Sequence, residues 1–590
     1  MTNELKNNVS PEAYLNIRAW LTEDKYAEYR SELDAMIEAK KWEELEDSFF
    51  TVIEFGTGGR RGRTGIGSNR INTVTIGESA QALCQYAASI DVAAPQKGVV
   101  IACDTRLTSP DLSEYAAGVC AASGFKTYIF DSFRSTPELS FAVRHLNAAI
   151  GIVISASHNP PSDNGFKAYW NDGGQLVAPH DKNVVDAASA LTQINSMNFE
   201  AAVKEGLITI IGENVDTAYL AAVSKQAEGT DRGLSIVYSP LHGAGQTNVL
   251  PALREVGFTD IHLVEEQMTP DGSFPTVEGS KPNPEEKVAN EHAVKLMMAE
   301  KADIAITNDP DADRIGVMVR HNNQAVYLNG NQSAVLAANY ALMKLKQKGV
   351  LTQKHFLAKT IVTTDMLSTL ARYYDVTMYT DMLIGFKYIG RLLLDKEASD
   401  ETFVIGGEES YGLLKGTYAR DKDGATGALP LAEYAAELKL QGKTLYDELL
   451  TLYKLHGLYQ ETLDSIYFEG ATGFHTMQAV MESLRVSAPS SVAGHDVTEI
   501  IDYAASTRLD LKTGNTTPVH CDKGNVIVLV FSNDYRRRIT VRPSGTEPKI
   551  KLYIQWFNEA QENIEQQILD THEAFAQLSK QLQTQLFASI

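Results

Sequence analysis

ISASHNPPSDNGFKAYW, residues 154–170, is the stretch from which this chain can be read. One serine, Ser157, stands between small residues and beside His158. An Asn-Pro-Pro turn follows, and Lys167 lies ten residues further on. The apolar run Ala149–Ile154 before it reads as a buried strand of a parallel sheet. Ser157 therefore falls just past the carboxyl end of a strand, where open α/β sheets bind ligands. A hydroxyl there, with an imidazole and an ammonium in reach, can accept and donate a phosphoryl group.

Working outward, the same rhythm recurs. GVVIACD (98–104), a helix through Ala116–Ala122, FKTYIFD (125–131) and a helix through Leu139–His145 lead up to the serine. The pattern restarts with LSIVYSP (234–240), IHLVEEQ (261–267) and ADIAITND (302–309). It restarts again with HFLAKTIVTT (355–364), VTMYTD (376–381) and TFVIGGEE (402–409). Apolar strands alternating with helices predict βαβ units with right-handed crossovers. After about Gly457 the strands VIVLVFS (526–532), RRITVRPS (537–544) and KIKLYIQWF (549–557) read as antiparallel. A closing helix carries Ile564, Ile568, Phe575, Leu578, Leu582 and Leu586 on one stripe. The expected fold is α/β: three similar mixed α/β domains, 1–205, 206–322 and 323–455, followed by an α+β domain, 456–590. Helices within residues 1–50 pack on the first domain through Tyr14, Ile17, Trp20 and Leu21.

Four further loops carry chemistry. TNDPDADRIG (307–316) sets Asp309, Asp311 and Asp313 at a spacing of two after an apolar strand. Three carboxylates on a tight turn repel one another unless a cation neutralises them, and hard oxygen ligands suit Mg²⁺. A calcium-binding EF-hand would need Gly and Glu where Arg314 and Arg320 stand. A solvated acidic turn or an aspartate nucleophile are the other readings, and the second leaves Ser157 idle. GGEESYG (406–412) offers Glu408, Ser410 and Tyr411 to sugar hydroxyls, or is an ordinary helix start; ARDKDGA follows, with Arg420 and Lys422. RPSGTEPK (542–549) combines Arg542, Ser544, Gly545 and Thr546 into a phosphate cradle, or is turn chemistry between strands. EFGTGGRRGRTGIGSNRIN (54–72) supplies glycines with Arg60, Arg61, Arg63 and Arg70, which would stabilise the charge of a transferring group. His242 reads as a ligand contact or, more often for this residue type, a loop histidine with satisfied hydrogen bonds. Lys387, set among apolar residues, is either a snorkelling lysine or an active-site cation.

Composition narrows the partners. The 590 residues are 44% hydrophobic and 22% charged, with a formal net charge of −22. Nucleic acid and anionic membranes are poor partners for such a chain. Four cysteines without CxxC spacing, no apolar leader and no run of 18 apolar residues predict a cytoplasmic protein without disulfides or a membrane span.

SASHNP, DPDADR, GEESYG and RPSGTEP, occurring together and in this order, resemble the α-D-phosphohexomutase superfamily, specifically its phosphoglucomutase/phosphomannomutase branch. The resemblance runs from about Glu54 to Phe557. It implies four domains around a central cleft and an intramolecular phosphotransferase. Ser157 would carry the phosphate, and Asp309, Asp311 and Asp313 would hold Mg²⁺ together with Ser157. Arg61, His158 and Lys167 would surround the transferring group, with Lys167 or a neighbour aiding proton transfer. Arg314 matches the arginine that follows the metal aspartates. Glu408 and Ser410 would grip sugar hydroxyls, with Lys387 near the sugar and Arg420 also on the substrate side. Arg542, Ser544, Gly545 and Thr546 would bind the phosphate that is not transferred. Two departures, Ile384 before GFK and the GGRRG loop, touch no metal or charged site residue. GEES rather than GEMS favours glucose. The implied reaction interconverts glucose 1-phosphate and glucose 6-phosphate through a glucose 1,6-bisphosphate intermediate, by a monomer or homodimer. A phosphomannomutase or dual-specific enzyme, a phosphopentomutase, a phosphohydrolase and a non-catalytic sugar-phosphate-binding protein are the alternatives.

Overall fold

The computed structural model describes residues 2–53, 59–468, 473–544 and 549–587. Glu54–Gly58 of the Gly-Arg stretch, Gly545 and Thr546, and the side chains of Leu582 and Leu586 lie outside the described residues. Contacts divide the chain into two compact bodies. One comprises Met1–Leu328, Ile389–Ser399 and Tyr411–Ala436; the other comprises Asn329–Tyr388, Asp400–Ser410 and Glu437–Ile590.

In the first body, a six-stranded sheet runs in the order Gly59–Arg63, Asp163–Trp170, Ile150–Ile154, Val99–Cys103, Thr127–Phe130, Ile208–Ile211. The expected strand before Ser157 is there, buried along its length and parallel to Val99–Cys103. Two readings are corrected. Residues 163–170, read as part of the serine loop, form an antiparallel strand beside Ile150–Ile154, which puts Lys167 opposite Val153. The described part of the Gly-Arg loop begins as the edge strand Gly59–Arg63, with Arg61 opposite Gly165. The sheet is therefore mixed. Ile208–Ile211 extends it past the boundary expected at residue 205.

The second sheet, five-stranded and also mixed, has the order Gln324–Leu328, Ile315–His321, Ile304–Asn308, Ile236–Ser239, Ile261–Leu263. Gln324–Leu328 belongs to it, two residues past the expected boundary at 322. The N-terminal helices, including Pro11–Thr22, Arg30–Glu38 and Trp42–Phe49, bury Ile17, Trp20, Leu33, Leu45 and Phe49 against Ile66 and Val74, with Tyr14 and Leu21 partly buried at the margin.

In the second body, Thr377–Tyr379, His355–Lys359 and Thr402–Gly407 are parallel neighbours. The strand expected over 355–364 stops at Lys359, where the lysine folds back to donate to the Thr363 carbonyl at 2.9 Å. The C-terminal sheet is antiparallel and larger than read: Leu458–Tyr467, Lys549–Asn558, Asp534–Pro543, Ile527–Phe531, His495–Asp502, Thr507–Asp510 and Thr516–Pro518. Helices Gly473–Val486 and Ile564–Phe587 flank it, and Met477, Val480, Leu529, Ile539 and Leu552 form its core, with Phe575 and Leu578 packed alongside. The three α/β layers and the α+β terminal domain agree with the expected fold class.

Among the described residues, no helix is long and apolar enough to cross a membrane. All four cysteines are free, and Cys84, Cys103 and Cys120 are buried.

Candidate active site

Strand Ile150–Ile154 delivers Ser157 to the edge of the first sheet, and strand Ile304–Asn308 delivers the three aspartates to the edge of the second. Both loops turn through left-handed backbone, φ +52° at Ser157 and +52° at Ala312. Non-glycine residues adopt that region at a cost, and such strain gathers at functional sites. The turns bring the loops together. Ser157 Oγ donates to Asp309 Oδ2 at 2.7 Å and lies 3.2 Å from His158 Nδ1.

The aspartates are almost wholly buried, and their ligand oxygens lie within 4.8 Å of one another. Cations bracket them. Lys167 Nζ stands 2.5 Å from Asp311 Oδ2 and 3.5 Å from Asp313 Oδ2. Lys422 Nζ is 2.9 Å from Asp313 Oδ2. Thr136 donates to Asp311 Oδ2 at 2.7 Å. Arg314 gives its backbone N–H to Asp309 Oδ1 at 3.0 Å and its guanidinium to Glu285 Oε1 at 2.6 Å. The loop's crown is pinned as well, since Gly424 N–H donates to the Ala312 carbonyl at 3.1 Å. A Cβ on Gly424 would fall 2.7 Å from that oxygen, so a larger residue would push the aspartate loop away.

Protonation follows from this packing. Burial, then the charges of Asp311 and Asp313, push the Asp309 carboxyl well above the usual range. Asp311 goes the other way: burial opposes its charge, but Lys167 and Thr136 hold it ionised. Burial also works against the Lys167 ammonium, yet Asp311 and Asp313 outweigh it and raise the lysine. His158 is driven well below its ordinary value by burial, then by Arg314 and Arg61, so it stays neutral.

The carboxylate oxygens Asp311 Oδ1 and Asp313 Oδ1 are buried without a hydrogen-bond partner. Unsatisfied buried carboxylate oxygens are costly. Two such atoms in a cluster of three carboxylates fit a hard divalent cation.

The four arginines of the Gly-Arg stretch divide. Arg60 bonds Thr75 O and Glu78, and Arg63 and Arg70 pair with Asp47. Arg61 turns to the serine loop, with Nη1 3.4 Å from Asn159 Oδ1. Arg420, expected on the substrate side, is 2% exposed and lies 3.0 Å from Glu397 Oε1 and 3.9 Å from Asp172 Oδ2, away from the aspartate cluster. Lys422, two residues on, is the cation that joins the cluster. His242 is satisfied, as read: Nδ1 meets Thr269 O and Nε2 meets Thr276 Oγ1, each at 2.9 Å.

In the second body, Glu408 is buried and accepts from Gly385 N–H at 3.1 Å. Ser410 follows, partly buried. Lys387 opens helix Phe386–Lys396, buried, with its ammonium 5.3 Å from the Tyr388 ring centroid. Arg542 stands next to last in strand Asp534–Pro543 and lies beside Tyr553, whose hydroxyl burial and then Glu409 push upward. Ser544 N–H donates to Lys549 O at 2.8 Å. Arg542, Glu408 and Glu409 thus share one neighbourhood around Tyr553.

Sequence comparison agrees with this architecture. The phosphoglucomutase/phosphomannomutase alpha/beta/alpha family models match in order: domain I over residues 52–195, domain II over 217–322 and domain III over 329–454. A phosphoglucomutase of Staphylococcus aureus is 34% identical over 520 residues, covering 87% of this chain and 91% of that protein. Two solved structures share the fold. A phosphoglucomutase/phosphomannomutase family protein from Burkholderia thailandensis has a TM-score of 0.62 at 18% identity, covering 89% of this chain and 97% of its own. The phosphoprotein pp63/parafusin from Paramecium, in an open form, has a TM-score of 0.64 at 16% identity, covering 91% and 96%. The chain belongs to the phosphoglucomutase/phosphomannomutase family.

Proposed function

We propose that this protein is a phosphoglucomutase, interconverting glucose 1-phosphate and glucose 6-phosphate through phospho-Ser157 and a glucose 1,6-bisphosphate intermediate. The observation that carries the reading is Ser157 Oγ at 2.7 Å from Asp309 within a buried triad of aspartates. Likeness to a phosphoglucomutase over most of both chains supports glucose as the sugar.

Asp309, Asp311 and Asp313, with an oxygen of phospho-Ser157, would hold Mg²⁺, which supplies charge neutralisation to the phosphoryl group when bound. The chain's own residues do the rest. Arg61 and Arg314 offset the negative charge that spreads over the equatorial oxygens during transfer. Lys167 is an ammonium fixed by two aspartates, so it serves as a charge and not as a base. His158, neutral and 3.2 Å from Ser157 Oγ, is better placed to take the serine proton when the hydroxyl accepts phosphate. Glu408, Ser410 and Lys387 bind sugar hydroxyls. Arg542, Ser544, Gly545 and Thr546 bind the phosphate that stays. The bisphosphate reorients between the two transfers, so that set must accept either end of the sugar. Phosphoserine survives because water is kept out while the intermediate turns. The reading also holds that the enzyme works in the cytoplasm, as a monomer or homodimer.

The test is product formation from glucose 1-phosphate by purified protein with Mg²⁺ and a trace of glucose 1,6-bisphosphate, with mannose 1-phosphate and ribose 1-phosphate in parallel. Glucose 6-phosphate forming fastest, and only with the cation, is the expected result. A faster rate on either other sugar reassigns the substrate, and release of inorganic phosphate instead of isomer overturns the reaction class.

A further inference from the structure

Arg106 is a buried cation that the reaction outlined above does not use. It is 1% exposed. Its Nη1 donates to the carbonyls of Pro160 at 2.7 Å and Asp163 at 2.8 Å, and its Nη2 to those of Ser157 at 2.7 Å and Asn159 at 2.5 Å. One guanidinium therefore ties four carbonyls of the turn that presents Ser157. A planar fork of donors suits that task, because its geometry is set before any bond forms.

The anchor is itself anchored. Arg106 Nε lies 3.2 Å from Asp104 Oδ2, and Asp104 is 1% exposed. Asp104 Oδ1 accepts the Ser109 hydroxyl at 2.6 Å and the Arg106 N–H at 3.0 Å. Ser155 lies beside Asp104. Its Oγ accepts the Ser157 N–H at 2.8 Å. The carbonyl of Ser157 thus leads to Arg106 and its amide to Ser155, and both of those side chains lie against Asp104. From the other side, the Phe274 ring stacks on the guanidinium at 5.3 Å. Gly272 packs so closely that a Cβ there would lie 2.5 Å from Arg106 Cα. Arg106 consequently joins the serine loop to the second α/β layer, which carries the aspartates.

We infer that Arg106, seated on Asp104 and seconded by Ser155, is the positioning residue that holds Ser157 in its left-handed conformation and aims Oγ at the transferring phosphoryl group. It touches neither substrate nor the reacting atoms. Misplacing a nucleophile by about 1 Å costs on the order of 100-fold in rate. Its effect should fall on kcat, because the groups assigned to sugar binding are elsewhere. The kinetic half of this inference rests on the proposed reaction, whereas the structural half does not.

The experiment uses the full-length protein and two variants. Arg106→Lys keeps the charge on Asp104 but cannot reproduce the fork. Ser155→Ala removes only the amide tether and alters volume little. Expected for Arg106→Lys are a kcat about 100-fold lower with KM within about threefold, and slower phosphorylation of Ser157 by glucose 1,6-bisphosphate. Ser155→Ala should show the same split with a smaller loss, and it decides the matter if Arg106→Lys does not fold. Amide exchange over residues 155–163 should quicken in both, a readout independent of the reaction. An inactive wild type with quickened exchange in the variants would overturn the proposed function and support the tether. An active wild type with unchanged kcat and unchanged exchange in the folded variants overturns the inference, as does a rise in KM at constant kcat.

Discussion

Lys167→Met removes a buried ammonium while keeping most of the stem's volume. The lysine is 8% exposed and stands 2.5 Å from Asp311, 3.5 Å from Asp313 and 3.4 Å from the Thr136 hydroxyl. Without it, Asp311 keeps Thr136 as its hydrogen-bond donor but loses its close cation. Removing one partner of a buried pair costs about 3–5 kcal/mol, because the other charge is left uncompensated. Lys182→Met is the control. That lysine pairs with Asp186 at 2.6 Å, but both side chains are exposed, and such a pair is worth at most about 1 kcal/mol. Thermal scans in a chelator should show Lys167→Met melting well below wild type and Lys182→Met melting beside it. The first transition is the one to read, since two compact bodies need not melt together. Mg²⁺ should then stabilise the Lys167 variant more than wild type, because a competing cation has gone. At a hundredfold excess over Kd, a bound ligand adds about 2.7 kcal/mol. Equal melting of the two variants in chelator, or equal Mg²⁺ increments in variant and wild type, would refute the description of the aspartate cluster.

Ser157→Ala should abolish turnover while binding of sugar phosphate, measured calorimetrically, survives; near-normal turnover would remove the serine from the reaction. Arg542→Ala should raise KM by about 10- to 100-fold, the worth of a charge-assisted hydrogen bond, with a smaller effect on kcat; steady-state kinetics with both constants unchanged would remove it from phosphate binding. Asp423 supplies a pH signature. Burial lifts its carboxyl from 3.8 to about 6, opposed by hydrogen bonds from Tyr219 and Tyr418. The folded protein thus takes up this proton before the unfolded chain does. Wild type should gain up to about 3 kcal/mol relative to Asp423→Asn as pH falls from about 6 to about 4. Denaturation of the pair across that window, with no divergence, would contradict the burial.

Much of this site was legible because its loops are local. Strand Ile150–Ile154 is apolar along its length and ends in the serine turn; strand Ile304–Asn308 ends in the aspartates. What escaped was set by distant packing. Strand Asp163–Trp170 is buried on both faces from Asn164 to Tyr169, so it lacks the alternation that marks a strand. Strand Leu458–Tyr467 is largely polar and half exposed, and it gives no apolar signal. The four arginines of residues 60–70 look alike until Glu78 and Asp47, on other elements, claim three of them. Arg420 and Lys422 are two residues apart, and only the fold turns one to Glu397 and the other to Asp313. Arg106 acts from a loop and Thr136 from the first turn of helix Thr136–His145, and no motif marks them.

The central claim is that phosphate resides on Ser157 between half-reactions. Incubation with glucose 1,6-bisphosphate and Mg²⁺, followed by peptide mass spectrometry and a chase with glucose 1-phosphate, tests it directly. The account predicts phosphate on the peptide containing Ser157, lost to the sugar as fast as the enzyme turns over. Turnover with Ser157 never phosphorylated, or a phosphoserine that the sugar cannot discharge, would contradict it.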